Sequence, residues 1–189
     1  MSTPKLCVVI DVEATCWDHN ADGTFTEKQK QESEIIEFGI TTISMPDKQI
    51  VESRSILVTP TRSEISEFCT QLTSITPEMV EKEGILFAEA ISSLDIDFRV
   101  GKNMWASWGC YDRDAILRQC TREFVRSPFN NQHLNIKAMF GWKFGEFCGV
   151  TRACKKLGIP FEGTHHRGVD DSRNIARILL ALEGANVPV

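Results

Sequence analysis

Asp11 and Glu13, two carboxylates separated by one residue, close the apolar run Leu6-Cys7-Val8-Val9-Ile10 near the start of the sequence. A run of that kind suits a central strand covered on both faces, and side chains two apart on a strand project together. The two acids would then share one face at the end of a strand built for burial. Like charges so placed repel, and each is costly to desolvate alone. A hard divalent cation with oxygen ligands is one remedy. A strand end that simply faces water is the plainer one.

Three further acids and bases bear on that choice. Asp112 follows Tyr111 just after the apolar stretch Met104–Trp108, and His166 lies in the polar stretch Gly163–Gly168. Asp171 stands five residues after His166. Each has an ordinary explanation, since helix starts favour acids as caps and for the dipole, and loop histidines are commonly solvated. Asp170 is the one expected to act as a pure cap. Together the five fit two-metal phosphoryl hydrolysis, in which carboxylates hold two divalent ions roughly 3.5–4 Å apart. A histidine, with a reference pKa of about 6.5, suits deprotonation of a water at neutral pH.

Such a set needs strands that end together and helices that start beside them. Residues 34–43 and 50–58 read as two more strands, joined as a hairpin through the turn Met45-Pro46-Asp47-Lys48. Residues 14–33 are polar and aperiodic, and a mobile loop is expected there. Helices are expected at 64–69, after the cap Thr76 with Pro77 in the first turn, at 87–100 and at 112–124. Residues 104–108 read as a buried strand and 134–136 as a last short one. Helical segments follow around 137–147 and 150–157. A closing helix is expected over 170–183, with Gly184 at its carboxyl end. Strands first, then helices alternating with strands, imply an α/β fold: a mixed sheet flanked by helices.

Composition bounds the rest. The 189 residues, 42% of them hydrophobic, suffice for one domain spanning 1–189 with a full core. No apolar run approaches a membrane span, so no membrane partner is expected, and the first residues lack a secretory pattern. Seven cysteines without a C-x-x-C pair make a poor disulfide framework and a poor zinc site. Reduced thiols in a cytoplasmic protein are expected. A net charge of −5 argues against coating long nucleic acid through a broad basic face. It leaves room for an enzyme that grips a few nucleotides.

Three blocks, Asp11-Val12-Glu13-Ala14-Thr15-Cys16, Trp108-Gly109-Cys110-Tyr111-Asp112 and His166-Arg167-Gly168-Val169-Asp170-Asp171, resemble those of the DEDDh 3′–5′ exonucleases. With Glu34–Phe38, Leu72–Thr76 and Asp171–Arg177 the chain is similar to the Eri-type exoribonuclease branch, from about residue 5 to residue 182. The resemblance implies a ribonuclease-H-like fold, a mixed sheet of about five strands flanked by helices. It implies two Mg²⁺ or Mn²⁺ ions, the first held by Asp11, Glu13 and Asp171. Asp11 would bridge to the second, which Asp112 would help to hold. His166 would be the general base, by its H-x-x-x-x-D spacing to Asp171, and His165 a bystander. The backbone of Ala14 and Thr15 would meet the terminal nucleotide. Ile36 and an aromatic ring would pack on its base. Tyr111 stands where Eri-type members often carry Trp, so that ring is either Tyr111 or Trp108. Arg113, Arg152, Lys155 and Arg167 are candidate phosphate contacts.

The implied activity is release of nucleoside 5′-monophosphates from RNA 3′ ends, single-stranded or overhanging. The same chemistry on DNA is the first alternative. A catalytically silent nucleic-acid-binding module and a small-molecule phosphodiesterase are others. Five intact catalytic positions count against the silent module. No appended nucleic-acid-binding domain is read, so targeting is expected to depend on another protein.

Overall fold

Strand β1, Leu6–Ala14, takes the middle of a five-stranded sheet because its side chains are apolar on both faces. Val8, Ile10 and Val12 enter one core, while Cys7 and Val9 enter another on the opposite face. By that alternation Asp11 and Glu13 belong to the face of Cys7 and Val9. The computed structural model describes residues 6–18 and 33–184. Most of the loop expected at 14–33 therefore lies outside the described residues.

Strand β2, Ile35–Ser44, pairs antiparallel with β1, and β3, Gln49–Leu57, pairs antiparallel with β2. Helices α1 (Glu67–Thr73), α2 (Pro77–Glu83) and α3 (Phe87–Phe98) lead to β4, Met104–Ser107, which lies parallel to β1. Helix α4, Tyr111–Arg122, leads to β5, His133–Asn135, parallel to β4. Helices α5 (Ile136–Phe144), α6 (Val150–Leu157) and α7 (Gly168–Leu182) complete the described chain. The sheet order is β3-β2-β1-β4-β5, mixed as expected. Helices α3 and α4 supply the core on one face, and α5, α6 and α7 that on the other. All seven cysteines are free thiols, also as expected. No described helix is long and apolar enough to cross a membrane.

Several boundaries move, each for a local reason. Helix α1 begins at Glu67 rather than at 64, because the Ser66 hydroxyl accepts the Cys69 N–H at 3.0 Å. Ser74, in the left-handed region at φ 61°, ends it. The last strand stops at Asn135, whose side chain accepts the Ala138 N–H at 2.9 Å and turns Ile136 into the first residue of α5. The strand expected at 104–108 ends at Ser107. Helix α7 starts two residues before Asp170, at Gly168, which packs on the backbone of Gly39 in β2. A Cβ at Gly39 would lie 1.8 Å from the carbonyl carbon of Gly168, so the two backbones meet only because Gly39 has no side chain.

Candidate active site

Asp11 and Glu13 leave the end of β1 on the face that α7 covers, and Asp171 reaches them from the first turn of α7. One carboxylate oxygen from each of the three lies within 4.8 Å of the others. Asp112, outside that trio, is buried at the start of α4 and accepts the Val12 N–H at 3.0 Å, tying α4 to β1. The four acids thus converge along the last residues of β1, beyond the point where β4 ends beside it.

No lysine or arginine pairs with Asp11, Glu13 or Asp171 among the described residues. Burial, then repulsion from Asp112, Glu13 and Asp171, holds the Asp11 carboxyl well above the usual carboxylate range. Burial, with Asp171, Glu37 and Asp112 adding to it, pushes Glu13 up to about 9. Burial raises Asp112 to about 6 against the lowering bond from Val12. Burial also raises Asp171, with His165 acting in the opposite direction. Three clustered oxygen donors, short of positive charge and without a thiolate or imidazole among them, fit a hard divalent cation.

The loop before α7 carries both neighbouring histidines. The His166 backbone N–H donates to Asp171 Oδ2 at 2.7 Å, and the residue sits in the left-handed region at φ 63°. Burial, then the neighbouring His165, lowers its pKa, so the ring is neutral at pH 7. His165, expected to be a bystander, touches Asp171 directly: its Nδ1 lies 2.9 Å from Oδ1. The two imidazoles stack at 4.0 Å between centroids. Asp170 does not cap α7. Its carboxylate accepts the Thr164 N–H at 2.9 Å and pairs with Arg173, so it closes the loop instead.

The expected nucleotide contacts fare unevenly. Ile36 is fully buried among Leu57, Cys69, Ile75 and Val80, so its side chain offers no surface to a base. Thr15 is buried too, because its N–H donates to Glu34 O and its hydroxyl meets Ser63 Oγ and the Glu34 N–H. The carbonyl of Ala14 accepts the Cys69 thiol at 3.6 Å. Trp108 packs against Phe140 and donates its indole N–H to Cys148 O at 3.0 Å, which commits it to the core. Tyr111, 58% exposed, is the ring left to meet a ligand. Of the candidate phosphate contacts, Arg113 pairs with Asp114, Arg152 with Glu146 and Arg167 with Glu37, while Lys155 is exposed.

Sequence reasoning missed two buried carboxylates. Glu34 receives the N–H groups of Thr61 and Arg62 and both hydroxyls of Thr61 and Ser63, and so fixes the segment that walls Thr15. Glu37 receives Ser55, Arg167 and Gly168. The available signal was two acids set within the apolar run Glu34-Ile35-Ile36-Glu37-Phe38. An acid among buried neighbours needs a partner.

The sequence model of the RNase_T family, described as exonuclease, matches residues 8–179. Among curated relatives, the 3′-5′ exonuclease Snipper of Drosophila melanogaster is 26% identical over 194 residues, covering 91% of this chain and 67% of its own. The 3′-5′ exoribonuclease 1 of Rattus norvegicus is 29% identical over 191 residues, covering 92% of this chain and 52% of its own. The chain therefore spans only about half to two thirds of the length of these relatives. The nuclease domain of 3′hExo, a DEDDh family member solved bound to rAMP, superposes with a TM-score of 0.81 at 26% identity, over 97% of this chain and 94% of that one.

Proposed function

The chain belongs to the RNase_T exonuclease family, to its DEDDh group and Eri-type branch, and from that membership we propose that it hydrolyses the terminal phosphodiester at RNA 3′ ends, releasing nucleoside 5′-monophosphates. The observation that carries the reading is the convergence of Asp11, Glu13 and Asp171 within 4.8 Å, with Asp112 and the His166 loop beside them. RNA is favoured over DNA because similar proteins are named exoribonucleases and one was solved with rAMP.

Asp11, Glu13 and Asp171 would hold a divalent cation, Mg²⁺ or Mn²⁺, and Asp112 would help to hold a second. When bound, such cations supply Lewis-acid stabilisation of the negative charge that develops on the phosphate. The protein's own groups do the rest. His166, neutral at pH 7 because its pKa is lowered, accepts the proton of the attacking water. Asp171 Oδ2, by taking the His166 N–H, holds that residue in its left-handed turn. Tyr111 offers its exposed ring to the terminal base, where stacking is worth about 1–3 kcal/mol. Selection of a biological RNA would fall to another protein or to sequence beyond this domain.

Labelled single- and double-stranded RNA and DNA, incubated with Mg²⁺ or Mn²⁺, test the reading. Stepwise shortening of RNA from the 3′ end with 5′-monophosphate products is expected. Equal or preferential trimming of DNA would move the substrate assignment. Binding without shortening would make the chain a silent binding module.

A further inference from the structure

We propose that Glu37 is a positioning residue that acts through His166, pinning the turn that presents the base. This role rests on His166 being the base, as proposed above, and Glu37 is at first sight a defect. Glu37 lies directly opposite Glu13 in the β1–β2 register, fully buried, where paired like charges destabilise a sheet. Its presence also helps to push Glu13 upward. Yet Glu37 is not one of the three acids whose oxygens cluster.

Its oxygens are turned the other way. Oε2 accepts the Gly168 N–H at 2.9 Å and Arg167 Nε at 3.3 Å. Oε1 accepts the Ser55 hydroxyl at 2.6 Å and Arg167 Nη2 at 3.3 Å. Both captured residues follow His166 immediately, and His166 is a non-glycine residue in the left-handed region. Such a conformation costs of order 1–3 kcal/mol and persists only where its surroundings over-determine it. Asp171 Oδ2 holds the turn by accepting the His166 N–H, and Glu37 holds it from the next two residues. A buried carboxylate taking four bonds from one neighbouring strand and one loop is a rigid post. The strand that carries it is the partner of the strand carrying Asp11 and Glu13. Glu37 thereby fixes the distance from the base to the acids.

The full chain is assayed on labelled single-stranded RNA at saturating Mg²⁺, as Glu37→Ala, Glu37→Gln, His166→Ala and the Glu37→Ala/His166→Ala double variant. Glu37→Ala should lower kcat by roughly 10- to 100-fold, the scale of a misplacement near 1 Å, and leave KM within about threefold. Glu37→Gln keeps an acceptor for the Gly168 N–H and should recover most of the loss. The decisive arm is the double variant, whose kcat should match that of His166→Ala, because a residue acting through a missing base has nothing left to position. Losses that multiply, a loss confined to KM, or normal turnover in Glu37→Ala would each overturn the inference. Should Glu37→Ala not fold, by circular dichroism, the same cycle is run with Glu37→Gln, whose smaller loss must likewise vanish without His166. Normal turnover in His166→Ala would instead overturn the base assignment itself.

Discussion

Replacing Glu13 by Gln should make the metal-free protein more stable while abolishing turnover. Burial and its acidic neighbours push the Glu13 carboxyl from 4.5 up to about 9. Below pH 4.5 it is protonated in both folded and unfolded states and adds nothing to stability. As pH rises further the unfolded chain ionises while the folded one keeps its proton. Stability then falls by about 1.4 kcal/mol per pH unit, until the folded group ionises near pH 9. At pH 7 roughly 2.5 units have been traversed, a penalty of about 3 kcal/mol. At pH 5 it is under about 1 kcal/mol. Glu13→Gln removes the titrating group and hence the penalty. In EDTA at pH 7 its Tm should exceed the parent's by roughly 6–12 °C, at about 2–4 °C per kcal/mol for a domain of this size. The gap should shrink at pH 5 and widen at pH 8. His133, lowered to about 4 by burial, titrates alike in both proteins and cancels in the difference. Added Mg²⁺ should raise the parent's Tm more than the variant's, because the variant has lost a ligand. A variant no more stable than the parent at pH 7, or a gap that ignores pH, would refute the reasoning. Thermal melts across pH, with and without EDTA, supply the whole comparison.

His166→Ala should cut turnover by roughly 10²- to 10⁴-fold with RNA binding retained, by single-turnover kinetics and anisotropy. His165→Ala should stay within about tenfold in kcat but weaken Mn²⁺ binding in calorimetry, since its ring orients Asp171. With the pKa of His166 lowered, turnover at saturating metal should be flat above pH 7 and fall only on the acid side of 6.5; a decline already at pH 7.5 would exclude it as the base. Tyr111→Ala should raise KM by roughly 5- to 100-fold at unchanged Tm, whereas Trp108→Ala should lower Tm through about 2–3 kcal/mol of lost packing.

The acids were legible because strand period and helix starts carry their own signals. Asp11 and Glu13 announced themselves as charges ending an apolar run, and Asp112 and Asp171 as acids in first helical turns. The hairpin of β2 and β3 was equally plain, through its turn and flanking strands. What stayed hidden depends on partners distant in sequence. Glu34 and Glu37 find theirs 27 to 29 and 18 to 131 residues away. The burial of Ile36 follows from α1 and α2 folding over β2, which no local pattern reveals. His165 gained its contact because the turn at His166 swings its neighbour's ring toward Asp171. Spacing distinguished the two histidines by family pattern but could not place their rings.

The meeting of Gly39 with Gly168 has a consequence in time as well as space. Asp11 leaves the ribosome 160 residues before Asp171. A nascent chain that ends before residue 166 has its sheet acids but neither the third cluster member nor the proposed base. The site becomes complete only when the last described helix docks, at a backbone-on-backbone seam too narrow to accept a shifted register. On the proposed function, hydrolytic capacity waits for Asp171 and α7, and a product truncated before residue 166 would lack it.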